Sequence, residues 1–169
     1  GNWLNNDLPT GQKGFVPTQK FYDRIYGKNR WKSLTNLSLS IGQDALLTTP
    51  IQMANMTAAI ANRGYYFTPH IVKSIDNDSI DSRFTKPIYT MVDSSLFEIV
   101  IKGMQEVVED EELGTSNIAK MDDITVCGKT GTAQNPHGED HSIFIGFAPK
   151  DNPKIALAVY VENGGWGST

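Results

Sequence analysis

Gly128-Lys129-Thr130-Gly131-Thr132-Ala133-Gln134 lies between two strand-like runs, and the rest of the chain is best understood from it. With the side-chain period of two that a strand imposes, Thr130 and Thr132 share one face and Lys129 takes the other. Twist at a sheet edge lets the lysine stem swing its ammonium back towards the hydroxyls. Two hydroxyls spaced two residues apart can both donate to one carboxylate. Gly131 has no side chain, so an extended ligand backbone can come close, and an exposed edge accepts a peptide as an added strand. The pattern suits recognition of a carboxylate beside a reacting carbonyl. A phosphate-loop reading fails twice. That loop needs a glycine five residues before Gly128, where Asp123 stands, and it must open a helix. Here Gly131 to Pro136 leads into a turn.

Working outward, the last third reads as three strands, 124–134, 141–148 and 154–162. Their turns are Asn135-Pro-His-Gly138 and Pro149-Lys-Asp-Asn-Pro153. Ile155-Ala-Leu-Ala-Val-Tyr-Val161 is nearly continuously apolar, which predicts a strand buried on both faces under helices. Upstream, Thr49-Pro50-Ile51-Gln52 places a capping hydroxyl before a first-turn proline, with Gln three residues after the cap. Met53, Met56, Ala59 and Ile60 then recur at helical spacing, and Arg63-Gly64 closes a predicted helix over 50–62. Residues 65–75 are aromatic and β-branched and read as a strand that Pro69 places at an edge or breaks. A second helix, roughly 94–109, has Asp93 or Ser95 as its cap. Leu96, Ile99, Val100, Met104, Val107 and Val108 form its apolar stripe, and the acidic run Glu109–Glu112 and Gly114 its end. Residues 1–36 look irregular, and 37–47 alternate briefly before Gly42. The expected fold is α/β, an antiparallel sheet with helices packed on its faces. Within residues 1–169 it divides into an irregular segment 1–36, a helical part with one strand segment 37–123, and the strands 124–163.

The chain has 169 residues, 39% hydrophobic and 20% charged, which is enough for one domain with a core. A net charge of −4 gives no global attraction to nucleic acid, and the basic stretch 13–32 lacks a phosphate-tracking pattern. Cys127, the one cysteine, can form no internal disulfide; in a strand it reads as a small packed hydrophobe, although nearby Lys129 could lower its pKa. His137, Glu139, Asp140 and His141 have the residue types of a metal cluster, but the i, i+4 histidine spacing joins ligands on a helix, and Pro136 and Gly138 make this a turn. No cofactor is expected. No apolar stretch approaches the roughly 20 residues that span a bilayer, and no signal peptide is read. The ending Gly164-Gly165-Trp166-Gly167-Ser168-Thr169 looks like a loop cut short.

More than one triplet matches a known family. The run from Ser40 to Gly64 resembles the G-Q-x-x-x-x-T-P-x-Q-M helix of class B penicillin-binding proteins. Gly128–Gln134 resembles their third active-site motif, and His141–Pro149 followed by Pro153–Gly165 resembles their next two strands. Asp7-Leu8-Pro9 is similar to the D-L-P that precedes this region. The short loop between strands and the N-G-G ending are most similar to the elongation-type penicillin-binding protein 2. The resemblance implies the C-terminal part of a serine D,D-transpeptidase domain that cross-links peptidoglycan. In that family a serine in S-x-x-K attacks D-Ala-D-Ala and an S-x-N motif relays protons. Neither motif has a counterpart here; Thr10-Gly11-Gln12-Lys13 has only the spacing of the first. By the resemblance, Lys129 supplies positive potential in the catalytic site. Thr130 and Thr132, with Gly131 between them, hold the carboxylate of the stem peptide or of a β-lactam. The Thr132 backbone N–H is one oxyanion donor. The implied parent is anchored in the bacterial inner membrane, with this domain in the periplasm and a SEDS-type glycan polymerase as partner. The chain alone is expected to be inactive and to self-associate. The competing readings are a carboxypeptidase, β-lactamase or β-lactam sensor, and a non-catalytic peptide- or glycan-binding module on the same strand edge.

Overall fold

A computed structural model describes residues 1–76 and 78–168; Asn77 and Thr169, the last residue of the terminal loop, lie outside the described residues. The chain divides into two compact units. One comprises Gly1–Trp3 and Thr10–Thr49, the other Leu4–Pro9 and Pro50–Thr169.

The first unit corrects the expectation of an irregular segment. It holds helix α1 (Gln19–Tyr26) and helix α2 (Ser33–Ser40). Thr18 caps α1, its hydroxyl accepting from the Phe21 N–H at 3.3 Å, and Gly27 ends it at φ 89°. Two turns are too short for a clear helical period. The helix is held instead by the buried Tyr22, whose ring meets Phe21, Tyr26 and Trp31 and whose hydroxyl donates to Asp44 at 2.6 Å. The alternation read from residue 37 falls partly in α2. Leu34 and Leu37 there are exposed, so α2 lacks the one-sided apolar stripe by which a helix is recognised.

In the second unit, helix α3 (Pro50–Ala61) has the bounds its sequence suggests, but it buries Thr57, Ala59 and Ala61, and Met56 of the expected apolar set is exposed. Arg63 and Gly64 both take positive φ at its end, where the Gly64 N–H donates to the Ala59 carbonyl. The strand expected over 65–75 shrinks to β1 (Tyr65–Tyr66), paired antiparallel with β2 (Ile88–Tyr89). Pro69 has no N–H for a ladder, and pairing stops before it. A short helix α4 (Ser82–Thr85) intervenes. Helix α5 (Ser94–Glu109) is capped by Asp93, which accepts from the Ser95 N–H and hydroxyl at 2.9 and 2.6 Å. Asp93 is thus the cap, not Ser95. The buried stripe is Phe97, Ile101, Met104 and Val108, which corrects the expected one: Met104 and Val108 belong to it, but Leu96, Ile99 and Val100 are exposed.

Three antiparallel strands, β3 (Cys127–Ala133), β4 (His141–Ala148) and β5 (Ile155–Val161), form a sheet in that order. The register puts Cys127, Phe147 and Ala156 on one face. There they pack with Ala61 of α3 and Phe97, Ile101 and Met104 of α5. Thr130, Thr132, Ser142 and Phe144 share the other face with Ile155, Leu157, Val159 and Val161. The expectation that β5 is buried on both faces fails. Ile155, Leu157, Val159 and Val161 are 65, 38, 47 and 49% exposed. The helices α3 and α5 pack on the Phe147 side, and the outer row is left partly exposed. A continuous apolar run shows that a strand can be covered twice, not that it is.

Candidate functional site

β3 is an edge strand, paired only with β4 among the described residues. Its register sets Lys129 opposite Ile145 and Thr130 and Thr132 opposite Phe144 and Ser142, so the two hydroxyls share a face. Lys129 is exposed, and its ammonium folds back on the strand to donate to the Thr130 carbonyl at 2.9 Å. The structure therefore brings Lys129, Thr130, Gly131 and Thr132 together along one edge strand, with the two hydroxyls on one face and the ammonium on the Thr130 carbonyl.

Each hydroxyl also meets a group from another part of the chain. Thr130 Oγ1 lies 3.0 Å from Thr115 Oγ1, on the connection that follows α5. Thr132 Oγ1 accepts from the Gly167 N–H at 3.1 Å. The segment that carries Gly167 is tied down by Ser142, whose hydroxyl points at the Gly165 and Trp166 carbonyls at 3.1 and 2.9 Å. The Gly165 N–H adds a bond to the Asp140 carbonyl at 2.8 Å. The Asn163-Gly164-Gly165 turn, which looks in the sequence like a plain strand end, thus carries the chain back over β3. Gly167 comes so close that a Cβ there would run into the Gly131 carbonyl oxygen. A Cβ on Gly131 itself would meet only Ile143, in ordinary contact at 3.5 Å. The backbone of Gly167 thus lies directly against that of Gly131. Thr115, Ser142 and Gly167 carry no sequence signal for this role, because their contacts join segments 15 to 35 residues apart.

Gly128 has another explanation. It is buried, and a Cβ there would run into the Phe144 ring; at Gly146, its cross-strand partner, a Cβ would sit 2.9 Å from the same ring. Both glycines make room for Phe144. Cys127 is fully buried, and that burial pushes its thiol up to about 11; the cations of Lys150 and Arg63 offset part of the shift. Lowering of its pKa by Lys129 is not seen. In the turn, Asp140 accepts from the Asn135 N–H at 2.9 Å and His141 Nδ1 from the Asn163 N–H at 3.0 Å. These side chains fold the loop, and no group of three or more metal-ligating residues occurs among the described residues.

Comparison with known proteins agrees with this architecture. Residues 1–169 match the penicillin binding protein transpeptidase domain. The chain is 30% identical over 178 residues to the peptidoglycan D,D-transpeptidase MrdA of Acinetobacter baumannii, covering 96% of this chain and 26% of that protein. Among solved structures, Pseudomonas aeruginosa PBP2 in complex with WCK 5153 is 38% identical. It superposes with a TM-score of 0.82 over 96% of this chain and 35% of that one. Helicobacter pylori PBP2, solved as a complex with MreC, gives a TM-score of 0.80 at 28% identity, over 98% of this chain and 30% of that one. The chain thus spans about a quarter to a third of these relatives. A family match over every residue, joined to an antiparallel sheet edged by Lys-Thr-Gly-Thr, places the chain in the penicillin-binding-protein transpeptidase family.

Proposed function

We propose that the protein carrying this chain is a serine peptidoglycan D,D-transpeptidase of the elongation type, and that β3 is its carboxylate-recognition strand. The observation behind this reading is the alignment of the Thr130 and Thr132 hydroxyls on one face of an edge strand, with the Lys129 ammonium folded against it. A carboxylate lying along that edge would accept from both hydroxyls and gain from the cation. The Thr132 N–H would stabilise the oxygen of the tetrahedral intermediate. The substrate is the D-Ala-D-Ala end of a stem peptide, and a β-lactam competes for the same edge.

Attack on the carbonyl requires a serine nucleophile, and residues 1–169 contain no S-x-x-K sequence. The serine therefore belongs to sequence beyond these residues. A periplasmic setting, an inner-membrane anchor and a glycan polymerase or other protein partner belong to the same proposal. No helix among the described residues is long and apolar enough to cross a membrane. The experiment is labelling with a fluorescent penicillin followed by adduct mapping. Full-length protein should gain one drug mass on a serine outside residues 1–169, and the isolated chain should gain none. An adduct on a Ser or Thr of the isolated chain would overturn this assignment of roles.

A further inference from the structure

We infer that Thr115 is a positioning residue for Thr130, so that the loop after α5 takes part in carboxylate recognition; this rests on the reading of β3 above. The two Oγ1 atoms are 3.0 Å apart. A hydroxyl has one proton and two acceptor sites, so one of the pair must donate to the other. When Thr115 donates, the Thr130 proton is turned away from Thr115, available to a carboxylate on β3. Donation into Thr130 Oγ1 also polarises the Thr130 O–H and strengthens the bond it gives.

The loop is built to hold Thr115 in place. Asp110 Oδ1 accepts from the Glu112 and Leu113 N–H groups, each at 2.9 Å. The Gly114 N–H donates to the Asp110 carbonyl at 2.9 Å, and the Ser116 N–H to the Val107 carbonyl at 3.0 Å. Asn117 Nδ2 bridges the Val108 and Asp110 carbonyls at 3.1 and 2.6 Å. Gly114 is enclosed by these bonds, and a Cβ there would run into the Asp110 carbonyl oxygen. The residues on both sides of Thr115 are therefore tied to the end of α5. Thr115 itself is exposed, with its hydroxyl on Thr130. Capping the helix would not require a hydroxyl at this position; a hydroxyl matters there for Thr130.

The test uses full-length protein and a penicillin with its carboxylate free or blocked as the methyl ester. Thr115→Val should lower the second-order acylation constant for the free acid roughly 3- to 10-fold, the range of one neutral hydrogen bond. It should leave the ester rate and the melting temperature unchanged, and Thr115→Ser should restore the acid rate. Thr130→Val is run beside them. If Thr130→Val lowers the acid rate while Thr115→Val does not, the inference about Thr115 is wrong and the reading of β3 stands. Equal losses on acid and ester would likewise overturn it, since the role would then be structural. If Thr130→Val and Thr132→Val both leave the acid rate unchanged, the reading of β3 itself falls.

Discussion

Gly128 and Thr132 lie on the same face of β3, four residues apart, yet different physics holds each in place. At Gly128 the constraint is volume. Gly128→Ala would drive a methyl into the Phe144 ring, beside Val108 Cγ2 at 3.3 Å. The expected loss is about 1–3 kcal/mol of stability, as for other overpacked cores, read as a lower urea midpoint at unchanged slope. At Thr132 the constraint is a hydroxyl. Thr132→Val in full-length protein keeps the volume and removes the donor. Acylation by a carboxylate-bearing penicillin should slow by the equivalent of about 1–3 kcal/mol, the worth of a hydrogen bond to a charge. The Gly167 N–H loses its acceptor in the same variant, so melting temperature is followed in parallel. An unchanged rate at unchanged melting temperature would exclude Thr132 from the site. Cys127 gives a third residue-scale expectation. With its thiol raised to about 11 by burial, it stays protonated and enclosed at neutral pH. A thiol reagent should leave native protein untouched and react fully once urea unfolds it; fast reaction with native protein would contradict the packing.

Helix α5 is anchored at both ends by carboxylates, and this makes the element acid-sensitive. Bonds from the Ser95 hydroxyl and N–H hold Asp93 below its ordinary pKa; bonds from the Leu113 and Glu112 N–H groups do the same for Asp110. A depressed folded-state pKa stabilises the fold above the unfolded value, near ~3.9, and that stability is lost as pH falls through the folded value. Between roughly pH 5 and pH 2 the melting temperature should fall less steeply in Asp93→Asn and Asp110→Asn than in the parent chain. Equal slopes would mean these caps do not contribute. Although the faces they bury were not, since Met56, Leu96 and Ile99 are exposed while Ala61, Phe97 and Ile101 are buried, the bounds of both long helices were legible in the sequence from the residues that start and stop them. So were the three long strands and the pairing of Thr130 with Thr132, which follow from period and turn residues. Helix α1 was not, since its stability comes from aromatic contacts around Tyr22 rather than from a repeat. The partners of the site hydroxyls were also illegible. Thr115 and Gly167 reach β3 through the folding of distant segments, and no local pattern marks them.

For the molecule as a whole, the notable surface is the outer side of β5. Ile155, Leu157, Val159 and Val161 form one row on one face of the strand and are 38 to 65% exposed, and Tyr160 on the opposite face is 45% exposed. β5 is also a terminal strand of its sheet, with no described residue pairing its second edge. An apolar row beside unpaired backbone donors and acceptors is the combination that soluble proteins avoid, because a second chain can add a strand and bury the row at once. Charge does not protect it, since positions 155–161 contain no charged residue. The isolated chain is therefore expected to self-associate through β5 and to bind the dye ANS. Val159→Lys places a charge in the middle of the row without touching the covered face, and should shift the chain towards monomer and reduce the dye signal. Sedimentation equilibrium at high micromolar concentration measures the first and ANS fluorescence the second. A monomer mass for the unmodified chain, with no ANS fluorescence, would show that the outer row of β5 is tolerated in water and that the second unit is self-sufficient as it stands.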